Sequence, residues 1–154
     1  MWIHWLKNNL DSKEFFNFGV SLIDQNAPEV NLRTAASRVY YSVFHIAKAS
    51  ADCYCSGLTS AEENGKGAHA RIIKRLSENS KYKKCDRSLL AIATILKNAK
   101  KIRSHADYEL DDVFTFRHAK EIQSFYSRVQ IEISRLPAIE VNSVPPNSPA
   151  SSQS

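Results

Sequence analysis

The sequence predicts an all-α fold, a single-domain up-down bundle of four to five helices. Three observations predict it. Apolar residues recur at three- and four-residue spacing through most of the chain, no run alternates as a half-buried strand does, and the breaks fall at short Pro, Gly and Asn stretches. At 154 residues the chain is long enough for one domain with a real core. Three segments follow: an apolar N-terminal stretch 1–10, a helical domain 11–136 and a Pro/Ser-rich tail 137–154 that reads as disordered.

Trp2, Ile3, Trp5 and Leu6 make the N-terminal stretch apolar, and packing back on the domain is its preferred reading over a sticky partner surface. Asp11 reads as an N-cap with Glu14 three residues on. Phe15, Phe18, Val20, Leu22 and Ile23 give the first helix its apolar side, and Gly19 inside it weakens it. Pro28 suits the start of the next helix, which the glycine-free run extends to about Tyr54. Gly57, Asn64, Gly65 and Gly67 define a polar loop with no phosphate-cradling pattern. His69, Ile72, Ile73 and Leu76 outline a shorter helix with Arg71, Lys74 and Arg75 outward. Asp86 caps the next helix, whose core side is Leu89, Leu90, Ile92, Ala93, Leu96 and Ala99, and which ends near Ile102–Ser104. Asp111 or Asp112 caps the last helix, with Val113, Phe114, Ala119, Ile122, Phe125, Tyr126, Val129 and Ile133 inward.

The chemistry-bearing side chains concentrate in two places. On the long second helix the period puts Arg38, Tyr41, His45, Lys48 and Asp52 on one polar stripe beside two apolar ones, Val39/Val43/Ile46 and Tyr40/Phe44/Ala47/Ala51. A helix with two apolar stripes is largely buried, so its polar stripe faces solvent or a wet cleft. The second place is Arg103-Ser-His-Ala-Asp-Tyr108, where Asp107 stands four residues from Arg103 and can lock that helix end as an ion pair. The two segments are expected to meet in one polar cleft. Lys81, Lys83 and Lys84 form a basic run that reads either as a phosphate-facing patch or as a solvated loop.

The bulk composition excludes little and permits much. Lys and Arg number 21 against 16 Asp and Glu, a net charge of +5. That balance permits nucleic-acid binding without demanding it. Cys53, Cys55 and Cys85 are too few and odd in number for a disulfide framework, which fits a reducing cytoplasm. Together with His69 they can be drawn as a zinc site, but no Cys-x-x-Cys knuckle is present and partly buried thiols are the better reading. No cofactor, metal, signal peptide or membrane span is expected.

The blocks Ala36-Ser-Arg-Val-Tyr-Tyr-Ser-Val-Phe-His-Ile-Ala-Lys-Ala49, Ala68-His69 and Arg103-Ser-His-Ala-Asp-Tyr108, followed by a long helix, resemble the HEPN superfamily. The nearest branch is the UPF0332-like group, with its Tyr-Tyr-x-x-Phe-His helix and Arg-x-x-Ala-Asp-Tyr turn. The likeness runs over roughly residues 10 to 136. It implies a helical bundle, a homodimer with two motifs facing one cleft, and one of two functions. The first is a metal-independent RNase of a toxin–antitoxin or phage-defence system. The second is a non-catalytic interaction or RNA-binding module paired with a nucleotidyltransferase or an antitoxin-like partner, in which the motif tyrosine, here Tyr108, is the modified residue. The RNases carry His after a gap of four to six residues from the motif Arg; here that gap from Arg103 lands on Tyr108, Glu109 or Leu110. Arg103, His105, Asp107, Tyr108 and His45 are therefore the candidate catalytic set. Arg38, Tyr41, Lys48, His69, Lys81, Lys83 and Lys84 are the candidate RNA-binding or cleft-lining set.

Overall fold

The computed structural model describes residues 11–138. The predicted N-terminal apolar stretch and nearly all of the predicted disordered tail lie outside the described residues. Among the described residues the fold is all-helical, with one isolated bridge between Cys55 and Ser80 and no strand. The helices are α1 (Ser12–Ser21), α2 (Glu29–Tyr54), the one-turn α3 (Ser60–Glu63), α4 (Ala68–Glu78), α5 (Asp86–Tyr108) and α6 (Phe116–Ser134), with a 3₁₀ turn Lys83–Cys85 before α5. None of them is long and apolar enough to cross a membrane.

The 26-residue α2 is the axis of the molecule, touching α1, α4, α5 and α6. Its side chains explain this position. Leu32, Ala35, Ala36, Val39, Tyr40, Val43, Ala47 and Ala51 are all buried, and the four alanines let neighbouring helices approach closely. The core closes over them with Ile72 and Leu76 from α4, Leu89, Ile92, Leu96 and Ala99 from α5, and Ile122, Phe125 and Val129 from α6. Each of these sets follows the helical period, so the core is continuous from α4 across α2 to α6.

Helix α1 docks through Gly19. A Cβ there would stand 3.0 Å from the Ala35 carbonyl oxygen and 3.0 Å from Val39 Cγ2. The glycine that weakens α1 as a helix is what lets it reach α2. Asp11 caps α1 as expected, its carboxylate accepting from the Lys13 amide at 3.0 Å.

Several boundaries and facings differ from expectation. The polar loop contains α3, capped by a reciprocal Thr59–Glu62 box. Asp86 is the first residue of α5 and not its cap. Helix α5 continues one turn past Ser104, so Arg103–Tyr108 is helical and not a turn. Helix α6 begins later than expected, its cap being Thr115, whose amide donates to His118 Nδ1 at 3.0 Å. Leu90, Val113 and Phe18 are exposed, whereas Phe16, outside the expected apolar set, stacks on Tyr126 at 3.7 Å. Phe18 and Leu90 fall just off the one stripe that α1 and α5 each bury, and Val113 lies in the connection before α6 instead of on that helix. The Tyr54 hydroxyl donates to the Pro137 carbonyl at 2.7 Å, so the packed body reaches into the start of the predicted tail.

Candidate functional site

Where α2, α4 and α5 meet, two matched stripes face each other. Ser37, Tyr40 and Phe44 lie three and seven residues apart on α2; Lys100, Arg103 and Asp107 repeat that spacing on α5. His69, in the first turn of α4, completes the group. Arg103 and Asp107 pair at 2.6 Å with both side chains about a quarter exposed, and Ser37 reaches the same carboxylate oxygen at 3.5 Å. The guanidinium carbon lies 5.9 Å from the Tyr40 ring centre and 5.2 Å from that of Tyr108. Two aromatic faces and one carboxylate thus fix the orientation of a cation where the three helices meet.

Tyr40, which is buried, and His69, which is half-buried, lie beside this cation. Tyr40 Oη lies 2.6 Å from His69 Nδ1. Burial pushes the Tyr40 phenol up to about 12 against the opposing pull of Arg103. The phenol therefore stays protonated at neutral pH, and its proton is assigned to the bond with Nδ1. Burial, with Lys100 and Arg103 nearby, lowers the His69 pKa. The imidazole is then neutral near pH 7 and carries its own proton on Nε2, which leaves that nitrogen a donor. Phe44 packs on His69 at 4.5 Å and on His45 at 5.5 Å, so one aromatic ring touches both imidazoles. Burial and Lys48 lower the His45 pKa as well.

The structure divides the expected site residues among five places. Arg103, Asp107, Tyr108 and His69 come together. Arg38, Tyr41 and His45 form an adjoining row toward α1, with Phe15 on Tyr41 at 4.6 Å, Tyr41 on His45 at 4.3 Å, and Arg38 over Phe15. Lys48 is engaged elsewhere, paired with Asp52 at 2.8 Å, and Asp52 in turn holds Arg75 at 2.7 Å. Lys81, Lys83 and Lys84 are exposed at the opposite end of α5 from Arg103.

His105 does not enter the cleft. Two residues along a helix turn a side chain by about 200°, and its ring packs instead on Phe114 at 5.3 Å and His118 at 5.0 Å. There it belongs to a second cluster built on Arg33. That guanidinium donates to the carbonyl oxygens of His105 (3.1 Å), Ala106 (2.9 Å), Glu109 (3.2 Å) and Asp112, and pairs with Glu29 at 2.7 Å. Glu29 also accepts from the Phe114 amide at 3.0 Å, and these bonds hold its carboxyl below the usual range. The metal-ligating atoms of His105, Glu109 and Asp112 lie within 4.8 Å of one another. The cation this loop already holds is Arg33, whose charge opposes a second cation beside it. Cys55 and Cys85 are buried free thiols and Cys53 an exposed one. His69 is bonded to Tyr40, so the four residues of the sequence-level zinc alternative do not form a cluster among the described residues.

Sequence reasoning missed Tyr40, Ser37, Phe44 and Lys100 as members of this group: Tyr40 and Phe44 read as an apolar stripe on α2, and Ser37 and Lys100 stood in no stripe. The repeated three- and seven-residue spacing on α2 and α5 was the available signal. No family model, curated protein or solved structure matches the chain.

Proposed function

We propose that the chain is a HEPN-type protein that binds RNA in the α2–α4–α5 cleft and cleaves it without a metal, as part of a toxin–antitoxin or defence system. The observation that carries the reading is the fixed Arg103, held between Tyr40 and Tyr108 by Asp107 beside the Tyr40–His69 pair. Metal-free cleavage needs a base for the 2′-hydroxyl proton and donors for the charge that develops on the phosphorane. The planar guanidinium of Arg103 suits two phosphate oxygens at once. His69 Nε2–H is the second donor; neutral His45 takes the 2′-hydroxyl proton as the 2′-oxygen bonds to phosphorus, and the imidazolium so formed returns a proton to the 5′-oxygen as its bond to phosphorus breaks. The test is cleavage of RNA in EDTA by the purified protein, with Arg103→Ala and the double variant His45→Ala/His69→Ala alongside. Wild type is expected to cleave, and loss of the positioned imidazoles is expected to slow it by about 10²–10⁴. Intact RNA after incubation with wild type would sink the catalytic reading.

A second reading has one observation of its own. Tyr108, in the last turn of α5, is well exposed, so its hydroxyl is open to a partner enzyme. In that case the domain is a non-catalytic module whose tyrosine is modified by a paired nucleotidyltransferase. Intact mass after co-expression with such a partner would rise by the transferred group, and Tyr108→Phe would abolish the rise. An unchanged wild-type mass would remove this reading.

A further inference from the structure

Two surfaces of opposite character lie at opposite ends of the α5–α6 pair. At one end, the start of α5 and the close of α6 border a groove of about 520 Å³. Leu90 and Ile131 line it, 52% and 51% exposed, and Arg87, Arg128 and Arg135 stand around them. Among the described residues only Arg135 of these three has an acidic partner, Glu132 at 2.6 Å. The groove is therefore apolar within and positively charged around its edge.

At the other end is the connection between α5 and α6. Leu110 and Val113 there are 73% and 71% exposed, and Glu109, Asp111 and Asp112 beside them are exposed too. The connection is not slack. Arg33 gathers the carbonyls of Glu109 and Asp112, and Glu29 takes the Phe114 amide. A pinned backbone thus holds two apolar side chains in water among three carboxylates. An exposed apolar pair on a fixed scaffold is a contact surface more readily than a connector.

We propose that loop 109–113 of one copy docks in the α5–α6 groove of a second copy. The match is of both kinds: two apolar side chains for Leu90 and Ile131, and three carboxylates for the arginine edge. Charge complementarity of this sort sets orientation and partner choice. The loop cannot fill its own groove, because α5 rises about 20 Å between Ile95 and Tyr108 and Arg33 ties the loop in place. A single such contact leaves each copy one free loop or groove, and the assembly proposed is the head-to-tail array that grows through these free surfaces, as opposed to a reciprocal pair that closes on itself. The surfaces are small, which makes each step weak. Neither surface includes Arg103, Tyr40 or His69, so this inference is independent of the RNA reading, and it differs from the symmetric dimer that the HEPN resemblance implies.

Sedimentation velocity over a concentration series tests it. The average mass is expected to climb beyond that of a dimer at low salt and to fall back at high salt, where exposed charges are screened. Asp111→Lys/Asp112→Lys reverses the loop and Arg87→Glu/Arg128→Glu reverses the groove; each variant alone is expected to be monomeric. Mixed together they present opposite charges again and are expected to assemble as wild type does. Leu110→Ser, a change at a solvent-facing position, is expected to weaken assembly without disturbing the fold, with helical circular dichroism as the check. A wild type that is monomeric at every concentration, its groove covered by another segment or by nothing, overturns the proposal. So does a closed dimer, and so does a mixture no larger than its parts.

Discussion

Among the described residues the most connected side chain is Arg33, and nothing in its local sequence marks it out. One guanidinium serves four carbonyls from the end of α5 and the following loop, and one carboxylate from its own helix. Its side chain is only 11% exposed, so water does not replace these bonds when they are lost. Arg33→Ala is expected to destabilise the fold by about 2–4 kcal/mol, read from urea unfolding, because the last carbonyls of α5 are left unsatisfied. Arg33→Lys keeps the charge but not the planar fork, and is expected to recover only part of the loss. Full recovery with Lys would mean that charge alone matters. His45 and His69 make a different prediction. Burial lowers both folded pKa values below the ordinary 6.5. The unfolded chain then binds more protons in the interval below 6.5, and the stability these groups carry is complete above 6.5 and lost as pH falls through their folded values. The lowered carboxyls of Glu29 and Glu62 act separately, below about 4.5. Stability measured from pH 7.5 to 5 should therefore decline in wild type and flatten in His45→Gln/His69→Gln. A wild-type profile that is level across that range would contradict the buried neutral imidazoles.

At the scale of the element, the α1–α2 crossing shows how two principles compete at one residue. Alanine is the better helix former by about 1 kcal/mol, which favours Gly19→Ala. Against it, the new methyl would meet the Ala35 carbonyl oxygen and Val39 Cγ2 at 3.0 Å. One of those atoms is backbone in the middle of α2 and cannot move aside, so overpacking of about 1–3 kcal/mol wins. The expected result is a net loss of about 1 kcal/mol, with hydrogen exchange in α1 accelerated more than in α5. A gain in stability would show that α1 can lift away without cost. The same contest explains what was legible in the sequence. The long periodic segments gave α2, α4, α5 and α6 their places, because a buried stripe repeats every three to four residues whatever it packs against. The one-turn α3 carries no stripe, and only its Thr59–Glu62 box could have revealed it. Leu90 was expected inside because type alone does not say how wide a stripe the neighbours cover, and Val113 because the last helix was expected to start before it. The cleft was legible as Arg103, Asp107 and His69. Tyr40 was hidden, because a tyrosine on an apolar stripe looks like core until its hydroxyl is seen to need a partner.

At the scale of the whole molecule, the positive charge is spread over two ends that act separately. Lys83 and Lys84 immediately precede α5, and Arg103 lies in its last two turns. From Asp86 to Arg103 the helix rises about 25 Å. The Debye length at 0.1 M salt is about 10 Å, so neither end feels the other's field in ordinary buffers. A short single-stranded RNA held in the cleft should then report on Arg103 and its neighbour Lys100, and not on Lys83 and Lys84. Arg103→Gln is expected to weaken its binding and to lower the slope of log affinity against log salt by about 0.7, the value for one phosphate contact on a single strand. Lys83→Gln/Lys84→Gln is expected to leave both affinity and slope of the short strand unchanged, and to matter only for strands long enough to span the two ends. Asp107 sharpens the test. It neutralises Arg103 in part, and Asp107→Asn should strengthen binding while loosening the guanidinium from its place between Tyr40 and Tyr108. If the lysine variant lost the short strand and the arginine variant kept it, the interface would lie at the far end of α5, and the arrangement of Arg103, Tyr40 and His69 would be a helix-end lock with no ligand of its own.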